Sequence, residues 1–416
     1  MHYNLTTLPN GLRIITQDMP SIRSVSIGMW VDTGSRDEVP TEAGSSHFLE
    51  HLLFKGSEKM SAHYIGESLD AVGARHNAFT SKEYTCYWAR ARDDDLPLAL
   101  NILAEMLQRP AFRQSEIDSE RHVVLEEINM NEDDPTDVAH EIFMRSMWQD
   151  HPLAPPILGT KDSITEMTRE TIAAYWSRRY SPHSTVVAAA GRIDHDDFVA
   201  RVGELMGDWN GSAGGRSRAA TVPGTRIEIT TRDTEQAHLV IGGFGLSRDD
   251  ERRWALTVAD HVLGGGMSSR LFREIREDRG LAYAVHSFRM GFLEAGSVGV
   301  YVGTTPTQAP EVLKLVRAEF SKLVKEGITA GELERAKGYV KGSLVLSLED
   351  ATSRMTRLGR SEITDAEHLS IDDVVARIEA VELDQVHEIA AAFYDGPFVL
   401  GAVGPFEPGD LEEFIA

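Results

Sequence analysis

The chain has 416 residues, 42% hydrophobic and 26% charged, which is enough apolar material for more than one buried core. Its 65 acids outweigh its 42 bases to give a net charge of −23, which argues against a nucleic-acid surface and favours a cationic partner or substrate. A single cysteine, Cys86, excludes an intramolecular disulfide and any zinc site built from cysteines, so a metal would have to rest on His, Asp and Glu.

The first residues, "MHYNLTTLPNGLRIITQDMP", read as a strand, an Asn10-Gly11 turn and a second strand. They carry neither the basic start and apolar run of a secretion signal nor the Arg- and Ser-rich composition of a transit peptide. No run approaches the roughly 18 apolar residues that a membrane span needs. The expectation is a cytoplasmic protein without membrane contact. Next comes "VSIGMWVDTGSRDE" (Val25 to Glu38), an apolar strand that ends in Ser-Arg-Asp.

"SSHFLEHLLFKGS" follows, with the apolar spacing of a helix. His47 and His51 lie one turn apart on one face, with Glu50 beside His51. Two imidazoles at i and i+4 can hold one zinc, and an adjacent carboxylate can activate a water there. The order H-x-x-E-H is the inverted zinc-peptidase signature. With 15 histidines in the chain that motif alone is only moderately specific, so a third ligand must be found. "GARHNAFTSKEYTCYW" (Gly73 to Trp88) reads as strand, either an ordinary one or an edge that pairs with another chain.

The stretch "SEIDSERHVVLEEINMNEDDP" supplies the third ligand. Ser115 and Asp118 have the spacing of a capping box, which predicts a helix start there. Glu120 and Glu127, two turns apart, share a face with Val123 and Val124, whereas Glu126 points elsewhere with Ser119 and His122. Glu127 is therefore expected on the inner face and Glu126 in solvent.

The chain also repeats itself. "VSIGMWVDTGSRDE" is echoed by "HLVIGGFGLSRDD", "ITEMTRETIAAYWSRRY" by "IEAVELDQVHEIAAAFY", and "VVAAAGRIDHDDF" by "VLGAVGPFEPGDL". Ser35 and Ser247 are 212 positions apart, Gly191 and Gly404 are 213, and Tyr180 and Tyr394 are 214. Chance similarity would not keep so constant an offset. "NGSAGGRSRAATVPG" (Asn210 to Gly224) reads as a linker. The expectation is two homologous α+β domains, over residues 1–215 and 216–416, because strands and helices are grouped rather than strictly alternating. In the repeat register "VADHVLGGG" falls on "HFLEHLLFKG", with His261 and Asp260 matching His51 and Glu50. Thr257 stands where a second histidine would be needed, so the second half is expected to be a degenerate copy.

"HFLEHLLFKG" followed by "ERHVVLEEI" resembles the pitrilysin family of zinc peptidases, and is most similar to its mitochondrial processing peptidase branch and the bacterial proteins like it. The family places its glutamate ligand about 76 residues after the second histidine, which is the separation of His51 and Glu127. The resemblance implies one zinc per chain on His47, His51 and Glu127, with Glu50 as general base and Glu120 as a supporting carboxylate. It also implies that the backbone around Asn77 and Ala78 pairs with substrate as an added strand, and it leaves His76 a supporting role. In the second half "REIREDRGLAYAV" resembles the segment carrying an Arg and a Tyr seven apart, which gives Arg276 and Tyr283, with Arg279 at the wrong spacing. These two would donate hydrogen bonds to the scissile carbonyl. "LGGGMSSRLF" resembles the family's glycine-rich loop and lacks the Lys-Ser/Thr of a phosphate loop. Family members enclose a chamber with four such domains, so the resemblance implies a homodimer cleaving unfolded peptides, basic ones given the acid excess. The alternatives are a non-catalytic structural or peptide-binding subunit, and a heterodimer with a related chain. The intact zinc motif and the Arg/Tyr pair weigh against both.

Overall fold

The first half of the chain contributes six strands: β1 (Asn4–Thr7), β2 (Arg13–Asp18), β3 (Ser24–Val31), β4 (Arg75–Thr80), β5 (Thr85–Arg92) and β6 (Thr185–Gly191). Its helices are α1 (Ser45–Phe54), α2 (Ala62–Ala71), α3 (Leu96–Gln108), α4 (Gln114–Asp133), α5 (Pro135–Trp148), α6 (Lys161–Glu166), α7 (Arg169–Arg179) and α8 (His195–Met206). The second half has strands β7 (Arg226–Thr231), β8 (Ala237–Gly245), β9 (Ala282–Gly291), β10 (Gly296–Thr304) and β11 (Val399–Gly404). Its helices are α9 (Arg253–Gly264), α10 (Ala309–Glu326), α11 (Ala330–Ser347), α12 (Ala351–Ile363), α13 (Ile371–Glu379) and α14 (Leu383–Phe393). The computed structural model describes residues 3–212, 214–224, 226–407 and 409–415. Among them no helix is long and apolar enough to cross a membrane.

The duplication is visible in the sheets. One has the order β1-β2-β6-β3-β5-β4 and the other β7-β11-β8-β10-β9. β2 runs parallel to β6 as β7 does to β11, and each remaining neighbour from β6 to β4 and from β11 to β9 is antiparallel. The second sheet thus repeats five strands of the first in order and direction, and the fold is α+β in both units. β4 and β9 are outermost strands, with one side of the backbone unpaired in the sheet.

The two compact units are discontinuous in sequence. One comprises Met1–Asn129, Pro155–Ser217 and Val345–Ser370, the other Met130–Ala154, Arg218–Leu344 and Ile371–Ala416. The reading as two contiguous halves did not include this exchange of segments, in which each unit takes a helix from the other half. β6 is buried along its whole length, "TVVAAAG", and both faces are covered. Val187 and Ala189 enter the main core with α1 and α3. Val186, Ala188 and Ala190 face Ala351, Met355 and Leu358 of α12. β11 repeats the pattern: Leu400 and Ala402 face one core, while Val399 and Val403 face Ala139, Ile142 and Phe143 of α5. A strand covered on both faces carries an unbroken apolar run rather than an alternating one.

The linker residue Arg216 is held within the first unit. Its guanidinium meets Asp37 at 2.6 Å and Asp32 at 2.9 Å, and donates to the Glu83 carbonyl at 2.6 Å. Arg179 shares Asp37 at 2.9 Å.

Candidate metal centre

α1 is fixed by its apolar residues. Phe48, Leu49, Leu52 and Leu53 are all buried in the main core, which turns His47, Glu50 and His51 toward α4 and β4. Its N-terminus lacks a side-chain cap, because the N-cap is Gly44 at φ 89°. A Cβ there would stand 2.7 Å from the Leu158 carbonyl oxygen, so glycine is required. The missing cap comes from Glu38, whose carboxylate accepts the N–H groups of Gly44 and Ser46, each at 2.7 Å. Burial lifts the Glu38 carboxyl to about 8, although the two backbone donors pull the other way. The Ser46 hydroxyl is tied to Tyr175 at 2.8 Å, which reaches Thr33 at 2.9 Å.

α4 starts at Gln114 rather than at the expected Ser115 box: Asp118 accepts from the Gln114 side chain at 2.8 Å, one turn earlier. Val124 is buried in the core and Val123 is 42% exposed, which corrects the shared inner face expected for the two. Neighbours on a helix point about 100° apart, and on α4, whose buried apolar residues are Ile117, Val124 and Ile128, that turn carries Val123 into solvent. Glu126 is exposed and accepts from Asn129 at 3.3 Å, while Glu127 is half-buried against α1.

Glu127 Oε2 lies 3.4 Å from His47 Nε2 and 3.4 Å from His51 Nε2. Donor atoms around a tetrahedral zinc with bonds of about 2.0–2.2 Å sit about 3.4 Å apart, so the set fits. His47, His51 and Glu127 are the group among the described residues whose ligand atoms, all within 4.8 Å of one another, could hold a metal. Two imidazoles, one carboxylate and an open position make a donor set of the catalytic zinc type. Burial first, and then His51, lower the His47 pKa to about 4, leaving it neutral with a lone pair to give. For His51, burial is outweighed by hydrogen bonds to Glu127 and Glu120, and its pKa is raised. The hydrogen bond to His51 lowers that of Glu127, which stays a carboxylate.

Glu120 is buried behind the site. Its Oε2 accepts from His51 Nδ1 at 3.2 Å and its Oε1 pairs with Lys55 Nζ at 2.7 Å. A carboxylate on the far nitrogen fixes the imidazole's orientation and leaves Nε2 free for metal. Glu50 faces β4, where Thr80 donates to its Oε2 at 2.6 Å, and burial raises its pKa. In β4, Asn77 is exposed and Ala78 buried, and the Asn77 side chain accepts the Ala78 N–H at 2.9 Å. His76 packs on Phe54 at 5.5 Å between ring centroids. Glu38, Lys55 and Thr80 were not identified from sequence. Thr80 lies inside the strand quoted above, and no spacing rule marks it.

Arg276 and Tyr283 belong to the other unit and touch each other. Arg276 donates to the Tyr283 carbonyl at 2.8 Å, and its guanidinium stands 4.5 Å from the centre of the Tyr283 ring, which is 80% exposed. Asp260 is half-buried, which raises its pKa, and His261 stacks on Tyr339 at 4.2 Å. The glycines that follow are explained by contact: a Cβ on Gly265 would stand 2.7 Å from the His261 backbone.

A two-unit α+β fold with a His-His-Glu group beside a buried glutamate defines the class: a metal-dependent hydrolase scaffold of the inverted-motif type. Residues 13–161 match the family model described as insulinase (peptidase family M16), and residues 166–339 match the M16 inactive domain. An uncharacterized zinc protease of Streptomyces coelicolor is 45% identical over 97% of this chain and 89% of its own length. One from Bacillus subtilis is 39% identical over 96% and 97%, and one from Rickettsia bellii 32% over 97% and 98%. Among solved structures, a Pseudomonas fluorescens chain described as an M16 inactive domain superposes with a TM-score of 0.92 at 20% identity, covering 98% of each chain. A Helicobacter pylori protease gives 0.90 at 21%, covering 97% of this chain and 99% of its own. The chain belongs to peptidase family M16, the insulinase or pitrilysin family.

Proposed function

We propose that the chain is a zinc metalloendopeptidase that cleaves unfolded peptides, with one zinc per chain on His47, His51 and Glu127. The observation that carries the reading is the 3.4 Å spacing of both imidazoles from one carboxylate oxygen, with Glu50 half-buried alongside. The zinc, when bound, supplies Lewis acidity and lowers the pKa of a water. Glu50 takes that water's proton on its carboxylate and returns it to the leaving amine. Glu120 holds His51 in register. The unpaired side of β4 at Asn77 and Ala78 receives the peptide backbone as an added strand, a mode of binding indifferent to sequence. The net charge of −23 favours basic peptides.

The proposal extends to a homodimeric chamber in which Arg276 and Tyr283 of a partner chain polarise the scissile carbonyl. A purified chain that cleaves while sedimenting as a monomer would remove that extension. The central test incubates the protein with a mixed peptide pool, with and without chelator, beside the Glu50→Gln variant. Glu50→Gln should keep its metal and lose on the order of 10² to 10⁴ in turnover. Cleavage that survives both chelation and Glu50→Gln would sink the proposal.

A further inference from the structure

The Glu50 carboxylate takes its hydrogen bonds from one residue, Thr80, which offers both its hydroxyl and its backbone N–H. Thr80 Oγ1 stands 2.6 Å from Glu50 Oε2 and 3.5 Å from the Ser46 carbonyl oxygen. A hydroxyl has a single proton, and the shorter, charge-assisted contact claims it. The Thr80 hydroxyl is therefore committed to Glu50 Oε2, and the Thr80 backbone N–H adds a second tie to the same carboxylate.

The position of Thr80 is set by β4. Alternation along the strand puts His76, Ala78 and Thr80 on one face, toward α1, where His76 meets Phe54 and Thr80 meets Glu50. Phe79 points to the opposite side, against Trp30 and Tyr84. β4 pairs with β5 through Thr80↔Thr85, so the backbone at Thr80 is anchored on its inner side, and its outer side is the sheet edge.

We propose that Thr80 is a positioning residue for Glu50, its hydroxyl holding Oε2 so that the carboxylate keeps one orientation toward the water whose proton it takes. The assignment rests on Glu50 being the general base. A carboxylate on a flexible glutamate side chain turns about its last bond, and each turn away from the water interrupts the reaction. One fixed oxygen removes that freedom before substrate arrives, which is worth more at the transition state than in the bound ground state. Thr80 also lies two residues beyond Ala78 in the same edge strand. A peptide added to β4 would stiffen the segment that aims the base, so the proposal links strand addition to proton transfer through one hydroxyl.

The test compares Thr80→Val, which keeps the side-chain shape and removes the donor, with Thr80→Ser, which keeps the donor. Zinc content and melting temperature are measured first, then kcat and KM on one unstructured peptide. Thr80→Val should bind zinc normally and lose roughly 10- to 100-fold in kcat, the size of one hydrogen bond to a charged group, with KM little changed. Thr80→Ser should recover most of that loss. Normal kcat in Thr80→Val, a change confined to KM, or a loss that serine does not restore would each overturn the proposal. Should valine prevent folding, Thr80→Ala serves the same comparison with the same expected split. Glu50→Gln run in parallel separates the two readings. If it cleaves at a near-normal rate the base assignment fails, and if it is dead while Thr80→Val is normal only the positioning role fails.

Discussion

Glu126 and Glu127 are neighbours in sequence with opposite surroundings: one is exposed on the outer face of α4, the other lies 3.4 Å from two imidazoles. The helical angle between successive residues makes that separation, and the apolar pattern of the helix makes it legible in the sequence. Glu127→Gln should lose most of the bound metal, and Glu126→Gln should keep it. Elemental analysis of the two purified variants decides, and metal retained by Glu127→Gln but not by Glu126→Gln would overturn the assignment. The convergence of His47, His51 and Glu127 was legible because spacings of four on one helix and seven on another are local properties. Glu38, Lys55 and Thr80 were not, because each matters only through a tertiary approach: a carboxylate folded back onto a helix end, a lysine meeting another helix's acid, a hydroxyl under a glutamate. The same limit explains Val123, which the residue types alone placed with Val124.

At the scale of elements, α1 is a ten-residue helix whose start depends on a residue outside it. Glu38 supplies the acceptors that Gly44 cannot. Burial raises its pKa from 4.5 to about 8. The folded chain therefore keeps a proton that the unfolded chain releases above about 4.5. The resulting contribution to stability is fully present below 4.5 and is lost as pH rises through about 8. Glu38→Gln removes this titration while keeping one acceptor. The gap in melting temperature between wild type and Glu38→Gln should shrink between about pH 5 and about pH 9, with wild type the more stable at the acid end. A gap that stays constant across that range would show that Glu38 does not titrate with folding. The strands were easier to read than their covers. The apolar runs of β6 and β11 are evident in sequence, as is the constant offset between the halves, but nothing in a run states which helix lies on it.

The whole molecule turns on that last point. The first unit's second core layer joins Ile15, Trp30, Val186, Ala188 and Ala190 to Ala351, Met355 and Leu358 of α12. Trp30 Nε1 reaches Met355 Sδ at 3.4 Å, and a Cβ on Gly359 would fall 2.0 Å from that same nitrogen, so α12 is seated against the sheet at backbone distance. A fragment ending at Ser217 contains every residue of the candidate metal centre and all six strands of its sheet, yet lacks this cover. Burying Met355 and Leu358 alone contributes about 1.5–3 kcal/mol each, a large share of the stability of an ordinary domain. The fragment should therefore lose its cooperative melt, bind a hydrophobic dye and hold metal poorly, even though no ligand has been removed. Appending residues 345–370 through a long Gly/Ser tether should restore the melt and the metal together, because it returns α12 to the bare face of β3 and β6. Met355→Ala in that tethered chain should cost about 2–5 kcal/mol and mark the contact that does it. A fragment ending at Ser217 that melts cooperatively and binds metal unaided would show instead that the first half folds as a contiguous domain, and that α12 is a surface addition to it.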